Sequence, residues 1–284
     1  MAQLNKIGFT ILGVFLLFGN SVCSQEINSK GKLFIIGGGS RPSSMVERII
    51  KESDLDKEGY GVILPMSSAE PDSAIYYAKD QFAKLGVDNI YGLHFEKGEK
   101  LRKSKLDSIR NAKLIYISGG NQSRFMQVVG GNDIEKAIHW AYQNGSLIAG
   151  TSAGAAVMSK IMITGTELKH PEYASTFRNI ESANIETAIG LGLITNAVID
   201  QHFVKRSRFN RLITAILEFP HLTGIGIDES TAILVIGNRI EVVGESQVVV
   251  MKNNNDIPKK YNDKIGAKGI IMDIYLPGEI FKLN

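Results

Sequence analysis

The 284-residue chain is 44% hydrophobic and 21% charged, with a formal net charge of +3 and a single cysteine. A chain of this length buries most of its apolar surface in one sizeable globular domain, so a second is not required. The small charge and the lack of a basic run interleaved with aromatics exclude nucleic acid as a partner, and one cysteine excludes an intrachain disulfide.

At the N-terminus, Lys6 precedes the apolar run Ile7 to Phe18, of signal-peptide length and too short to span a bilayer. Polar Asn20-Ser21 and small residues follow, and cleavage after Ser24, with Val22 and Ser24 as the small pair, leaves Gln25 first. Lipidation of Cys23 is the rival outcome. Val22 and Asn20 stand where a lipobox wants a small residue and a leucine, which favours plain cleavage and a secreted or periplasmic protein. The expected organisation is a signal peptide over residues 1–24 and one α/β domain over 25–284. Loss of Cys23 with the signal also removes any thiolate metal site.

Beyond this leader, apolar runs of strand length alternate with amphipathic stretches, the pattern of a mostly parallel sheet covered by helices on both faces, a three-layer α/β sandwich. Strands are predicted at Leu33–Ile36, Gly61–Leu64, Asn89–Leu93, Leu114–Ser118, Ser146–Ala149 and Ala197–Asp200. Helices are predicted around Met45–Ser53, Ser73–Leu85, Lys103–Asn111, Ile134–Asn144 and Arg206–Leu217. After about Thr223 the chain becomes β-rich, with runs at Ala232–Ile236, Ile240–Val243 and Gln247–Met251 that read as hairpins on the sheet edge, and Lys252–Ile265 reads as an exposed loop.

The run Gly37-Gly38-Gly39 after the first strand lacks dinucleotide spacing, because Pro42 stands where the last glycine of G-x-G-x-x-G belongs. Close backbone packing beside an active-site floor is the better use. Gly150-Thr151-Ser152-Ala153-Gly154, between the apolar Leu147-Ile148-Ala149 and the helix-compatible Ala155-Ala156-Val157-Met158, is a nucleophile elbow in its required strand–turn–helix context. Ser152 is therefore the candidate nucleophile. The developing oxyanion needs two N–H donors: Ala153 supplies one, and the pair Gly119-Gly120 in Ser118-Gly119-Gly120-Asn121-Gln122 the other.

Of five histidines, His202 ends a strand in Asp200-Gln201-His202-Phe203 and lies downstream of the elbow, which suits the order nucleophile, acid, histidine. The acid that should orient it is then sought between Ser152 and His202, where Glu167, Glu172, Glu181 and Glu186 are equivalent by sequence alone. Arg208 and Arg211, three apart on a predicted helix, share a face that could bind a substrate carboxylate or simply meet solvent. No H-E-x-x-H helix or cysteine–histidine cluster is present, so neither metal nor cofactor is expected.

Thr151 to Ala155 with Val157-Met158, then Asp200 to Phe203 with Arg206, Arg208 and Arg211-Leu212, then Gly226-Ile227-Asp228-Glu229 with Thr231-Ala232, together resemble the cyanophycinase family. Ile35 to Gly38 and Ser118 to Gln122 fit it in order and spacing. The resemblance implies a serine exopeptidase related to dipeptidase E, on a sheet like that of class I glutamine amidotransferases, releasing β-Asp-Arg dipeptides from an arginine-bearing polyaspartate. It implies Ser152 as nucleophile, His202 as base, and Gln122, Asp200, Gln201, Arg208 and Arg211 around the substrate. The related dipeptidases carry a carboxylate fifteen residues after the serine, which implies Glu167 as the acid. Ser207 and Asn210 stand where the family would have glycines and could reshape the pocket. Other β-aspartyl or acidic peptides are the alternative substrates, a silent peptide-binding protein is the alternative from another class, and family members are often homodimers.

Overall fold

The computed structural model describes residues 30–172, 176–254 and 257–283; the proposed signal peptide and Cys23 lie outside them. The first half contains β1 (Lys32–Ile36), α1 (Ser43–Ser53), β2 (Gly61–Leu64), α2 (Pro71–Ala83), β3 (Ile90–Gly92), α3 (Lys103–Arg110), β4 (Leu114–Ile117), α4 (Gln122–Val129), α5 (Asp133–Gln143), β5 (Leu147–Thr151) and α6 (Ala153–Ala156). There follow β6 (Ile161–Glu167), β7 (Ile185–Ile189), β8 (Ala197–Gln201), α7 (Phe209–Glu218) and β9 (Thr223–Ile227). The chain ends with β10 (Thr231–Ile236), β11 (Arg239–Gly244), β12 (Val248–Asn253), β13 (Lys259–Tyr261), β14 (Lys264–Gly266), β15 (Ile270–Tyr275) and β16 (Ile280–Lys282).

The main sheet has eight strands in the order β16-β11-β10-β1-β5-β4-β2-β3. The five from β1 to β3 in that order are parallel, while β10, β11 and β16 extend it antiparallel. Period-two alternation sorts the side chains. Phe34 and Ile36 face a layer containing Ile49 of α1 and Phe82 of α2, whereas Leu33 and Ile35 face a layer containing Ile109, Phe125 and Ile138 from α3, α4 and α5. Helix starts follow local chemistry: Pro71 opens α2, and the side chains of Asn121 and Asn132 accept from Arg124 N–H at 2.9 Å and Ile134 N–H at 2.8 Å to cap α4 and α5.

The expected strand over Ala197–Asp200 forms, but not in this sheet. As β8 it pairs in parallel with β9 in a second sheet ordered β15-β12-β9-β8, packed on α7 through Val198, Phe203, Leu212 and Ile216. Of the runs read as edge hairpins, Ala232–Ile236 and Ile240–Val243 do extend the main sheet as β10 and β11, whereas Gln247–Met251 becomes β12 of the second. The β6–β7 hairpin was not legible in the pattern, and the expected loop Lys252–Ile265 contains the exposed strand β13 and part of β14. The second sheet matters most for chemistry, because its parallel pair sends two loops out at the same end.

Candidate active site

Ser152 follows β5, the strand between β1 and β4 in the main sheet, and heads the short helix α6. Its backbone sits at φ 54° and ψ −109°, a sparsely populated region for any residue with a Cβ, and its N–H is held by Ile36 C=O at 3.0 Å. Gly150 and Gly154 make the turn possible. A side chain on Gly150 would run into Gly154 C=O, and one on Gly154 into Ile117 C=O, so α6 could no longer pass so close to β4 and β5.

The hydroxyl Oγ lies 2.8 Å from His202 Nε2, and His202 Nδ1 lies 2.7 Å from Glu229 Oε1. His202 leaves the end of β8 and Glu229 the end of β9, whose register pairs Gln201 with Ile227. Neighbouring parallel strands thus deliver base and acid side by side. The loop Gly37-Gly38-Gly39 moulds both: Gly37 C=O accepts from His202 N–H at 2.8 Å, Gly38 lies flat against the imidazole, and a Cβ on Gly39 would stand 2.8 Å from Glu229 Cβ. Gly38, at φ 115°, has no room for a methyl group, which would overlap the His202 ring. Gly38→Ala is expected to displace the ring by a fraction of an ångström or more and lower kcat/KM about 100-fold with the fold retained, measured by steady-state kinetics beside a thermal melt.

Glu167, the acid implied by the family spacing, is elsewhere. Its carboxylate accepts from Arg178 N–H at 3.0 Å, Asn179 Nδ2 at 3.1 Å and Asn184 Nδ2 at 2.9 Å, tying β6 to the segment before β7. Partial burial works against its charge, but these three hydrogen bonds outweigh it and hold the carboxyl below the usual glutamate range. The other three are also spent or remote: Glu181 pairs with Lys264 and His170, Glu186 accepts from Thr164, and Glu172 is exposed. The position beside His202 belongs to Glu229, and the order along the chain is serine, histidine, glutamate. A usable signal existed, since Asp228-Glu229 ends the apolar run Thr223–Ile227 just as His202 ends its own strand.

Burial, first of all, pushes the His202 imidazole below its ordinary value near 6.5, and the charges of Arg206 and Arg208 act in the same sense; Glu229 opposes them. The ring is therefore neutral at pH 7 and able to accept a proton from Ser152. Around the nucleophile, Gly119 is the nearer of the two expected oxyanion glycines, since a side chain there would stand 3.5 Å from Ser152 Cβ. Gly120 instead packs on Ser67 C=O, and Ala153 is buried at the start of α6.

Four of the residues implied to surround the substrate, Asp200, Gln201, Arg208 and Arg211, come together as a closed network, and Gln122 stands apart from it. Arg211 grips Asp200 with Nε at 2.8 Å from Oδ2 and Nη2 on Oδ1, and Arg208 Nη1 donates to the carbonyl of Gln201 at 2.6 Å and to its side chain. Asp200, Gln201, Arg208 and Arg211 are between 1% and 7% exposed, so Arg211 keeps only part of its fork for anything else. Arg208 N–H also holds Phe203 C=O at 2.9 Å, so this residue clamps the carbonyls on both sides of His202, whose φ is 48°. Gln122 donates to Ile163 and Thr164 C=O at 3.0 and 2.7 Å and braces β6. Ser207 adopts φ 50°, the left-handed conformation a glycine would favour, and Asn210 Nδ2 reaches Arg178 C=O at 3.3 Å. A cavity of about 220 Å³ opens at Ser152 and His202, walled by α2 residues Tyr77 and Ala78 and by Tyr116 and Ser118.

A nucleophile elbow on a mostly parallel sheet, with a histidine and a glutamate in hydrogen-bonded series, defines a serine hydrolase. The model of peptidase family S51 matches residues 33–243, and the chain belongs to that family. It is similar to the cyanophycinase of Nostoc sp., 31% identical over 236 residues that cover 80% of this chain and 76% of that one. The cyanophycinase of Synechococcus elongatus is 30% identical, with 78% and 69% covered. A peptidase from an acI-B1 actinobacterium shares the fold with a TM-score of 0.62 at 20% identity, over 89% of this chain and 97% of that structure. The protein is thus a serine-type exopeptidase that acts on peptides.

Proposed function

We propose that the protein hydrolyses cyanophycin, multi-L-arginyl-poly-L-aspartate, to β-Asp-Arg dipeptides outside the cytoplasm. The observation that carries this reading is the series Ser152–His202–Glu229, at 2.8 and 2.7 Å, in a chain with 31% identity to a cyanophycinase. His202 takes the Ser152 proton as Oγ attacks the scissile carbonyl, and the N–H groups of Ala153 and Gly119 hold the oxyanion. The imidazolium, steadied by Glu229, then gives its proton to the leaving amine, and water releases the acyl group by the same route.

The apolar run Ile7 to Phe18 supports export, so the polymer would be scavenged rather than drawn from internal stores. The protein as purified is incubated with insoluble cyanophycin and, in parallel, with β- and α-aspartyl dipeptides, and products are read by mass spectrometry, which also shows whether the mature chain begins at Gln25. Release of β-Asp-Arg supports the proposal. Cleavage of small peptides alone transfers it to other β-aspartyl peptides, and no cleavage supports the silent binding protein. A homodimer belongs to the same reading, since the edge strand β15 exposes Ile271, Met272 and Ile274. Ile274→Lys is expected to halve the mass seen in sedimentation.

A further inference from the structure

An exopeptidase must recognise a chain end, which takes a group beyond the Ser152–His202–Glu229 series. The cavity at Ser152 contains one. With a volume of about 220 Å³ it is smaller than the roughly 300–1,000 Å³ of pockets for drug-sized ligands, so it suits the end of a peptide rather than a run of it. Its lining holds one side chain that carries charge at neutral pH, Arg41, since the His202 ring is neutral there.

Arg41 precedes Pro42, which biases it away from helical backbone and keeps it in the loop between the glycine run and α1. Its Nε donates to Gln81 Oε1 at 2.6 Å, and Gln81 Nε2 donates in turn to Tyr77 C=O at 3.0 Å, so α2 fixes the plane of the guanidinium. Among the described residues no carboxylate forms an ion pair with Arg41. Arg208 and Arg211, by contrast, are held by Asp200. Tyr116, 3% exposed and packed edge-on to Phe82, lines the same cavity with a neutral phenol, whose titration burial raises above its ordinary value against the charge of Arg41. A guanidinium with one edge anchored and no internal counter-ion, next to a neutral phenol, is built to receive an anion through charge-assisted bonds.

We infer that Arg41 is a specificity-determining residue that binds a carboxylate of the substrate's terminal residue in the cavity beside Ser152. The inference rests on the peptidase reading of that site. In a β-aspartyl peptide the carboxylate has two sources, the aspartate α-carboxylate and the carboxylate of the residue attached to it.

Binding is measured by calorimetry to the Ser152→Ala protein, so turnover does not enter. The probes are β-Asp-Arg and its two singly amidated forms, titrated into Ser152→Ala and into the same protein carrying Arg41→Gln or Arg41→Lys. Arg41→Gln is expected to weaken β-Asp-Arg at least tenfold, with Arg41→Lys intermediate. Amidating the recognised carboxylate should give the same loss, to which Arg41→Gln adds nothing, and this identifies the source. Equal affinity for both proteins within twofold, additive losses for both amides, or no binding of β-Asp-Arg to the parent overturns the inference. Labelling of the wild type, but not Ser152→Ala, by a fluorophosphonate tests the serine reading separately.

Discussion

Ser152→Ala is expected to abolish turnover, with a loss of roughly 10⁴- to 10⁶-fold, while the protein melts where the wild type does. The size follows from the hydroxyl being both the attacking atom and the group deprotonated by His202 at 2.8 Å, so nothing else in the site can form the acyl intermediate. The unchanged melt follows from geometry, since alanine keeps the Cβ and the hydroxyl makes no structural bond beyond that to the histidine. Ser152→Gly should be equally inactive but more stable. The backbone at φ 54° and ψ −109° stores about 1–3 kcal/mol with a Cβ present. The greater flexibility of unfolded glycine returns part of that, about 0.5–1 kcal/mol. A net gain near 1 kcal/mol raises the melting temperature by about 2–4 °C in a domain of this size, which calorimetry resolves. Inactive variants that separate in this way would show that strain is held for the nucleophile; a glycine variant less stable than alanine would contradict it.

The parallel core and its elbow were legible because their information is local. The runs Leu33–Ile36, Gly61–Leu64 and Leu114–Ile117 are continuous apolar stretches between helical periods, and Gly150 to Gly154 carries its turn in its own residues. His202 was legible from its place at a strand end. What did not show was pairing between distant strands: nothing in Ala197–Gln201 says that it pairs with Thr223–Ile227 and not with the five strands of the main sheet. The acid was lost with that pairing, because Glu229 reaches His202 only if β8 and β9 are neighbours. Glu167 had the family spacing in its favour, but the fold gives its carboxylate to Arg178, Asn179 and Asn184. The setting of the arginines was hidden for a related reason. Helical spacing put Arg208 and Arg211 on a common face, yet only the folded chain shows that face turned inward onto Asp200 and Gln201.

Glu229→Gln is the test that separates the two glutamates. With the carboxylate gone, the His202 tautomer is no longer imposed and the imidazolium formed during attack has no counter-charge, so kcat should fall about 10³- to 10⁴-fold. The pH profile carries a second signature. In the wild type the active base is the neutral ring, so kcat/KM is flat near pH 7 and falls as pH drops through a value below the ordinary 6.5, since burial lowers it. Glu229 is the one influence raising that value, so Glu229→Gln leaves burial and the charges of Arg206 and Arg208 unopposed. Its residual activity should therefore persist to lower pH than the wild type's, whereas simple unfolding would move nothing in that direction. Glu167→Gln should leave the acid limb in place and cost about 1–2 kcal/mol of stability through its weakened hydrogen bonds. Because the Glu167 carboxyl is held below its usual range, that cost is present in full above the unfolded glutamate's titration and vanishes as pH falls through the folded one. An acid limb that shifts with Glu167→Gln and not with Glu229→Gln would return the catalytic role to Glu167.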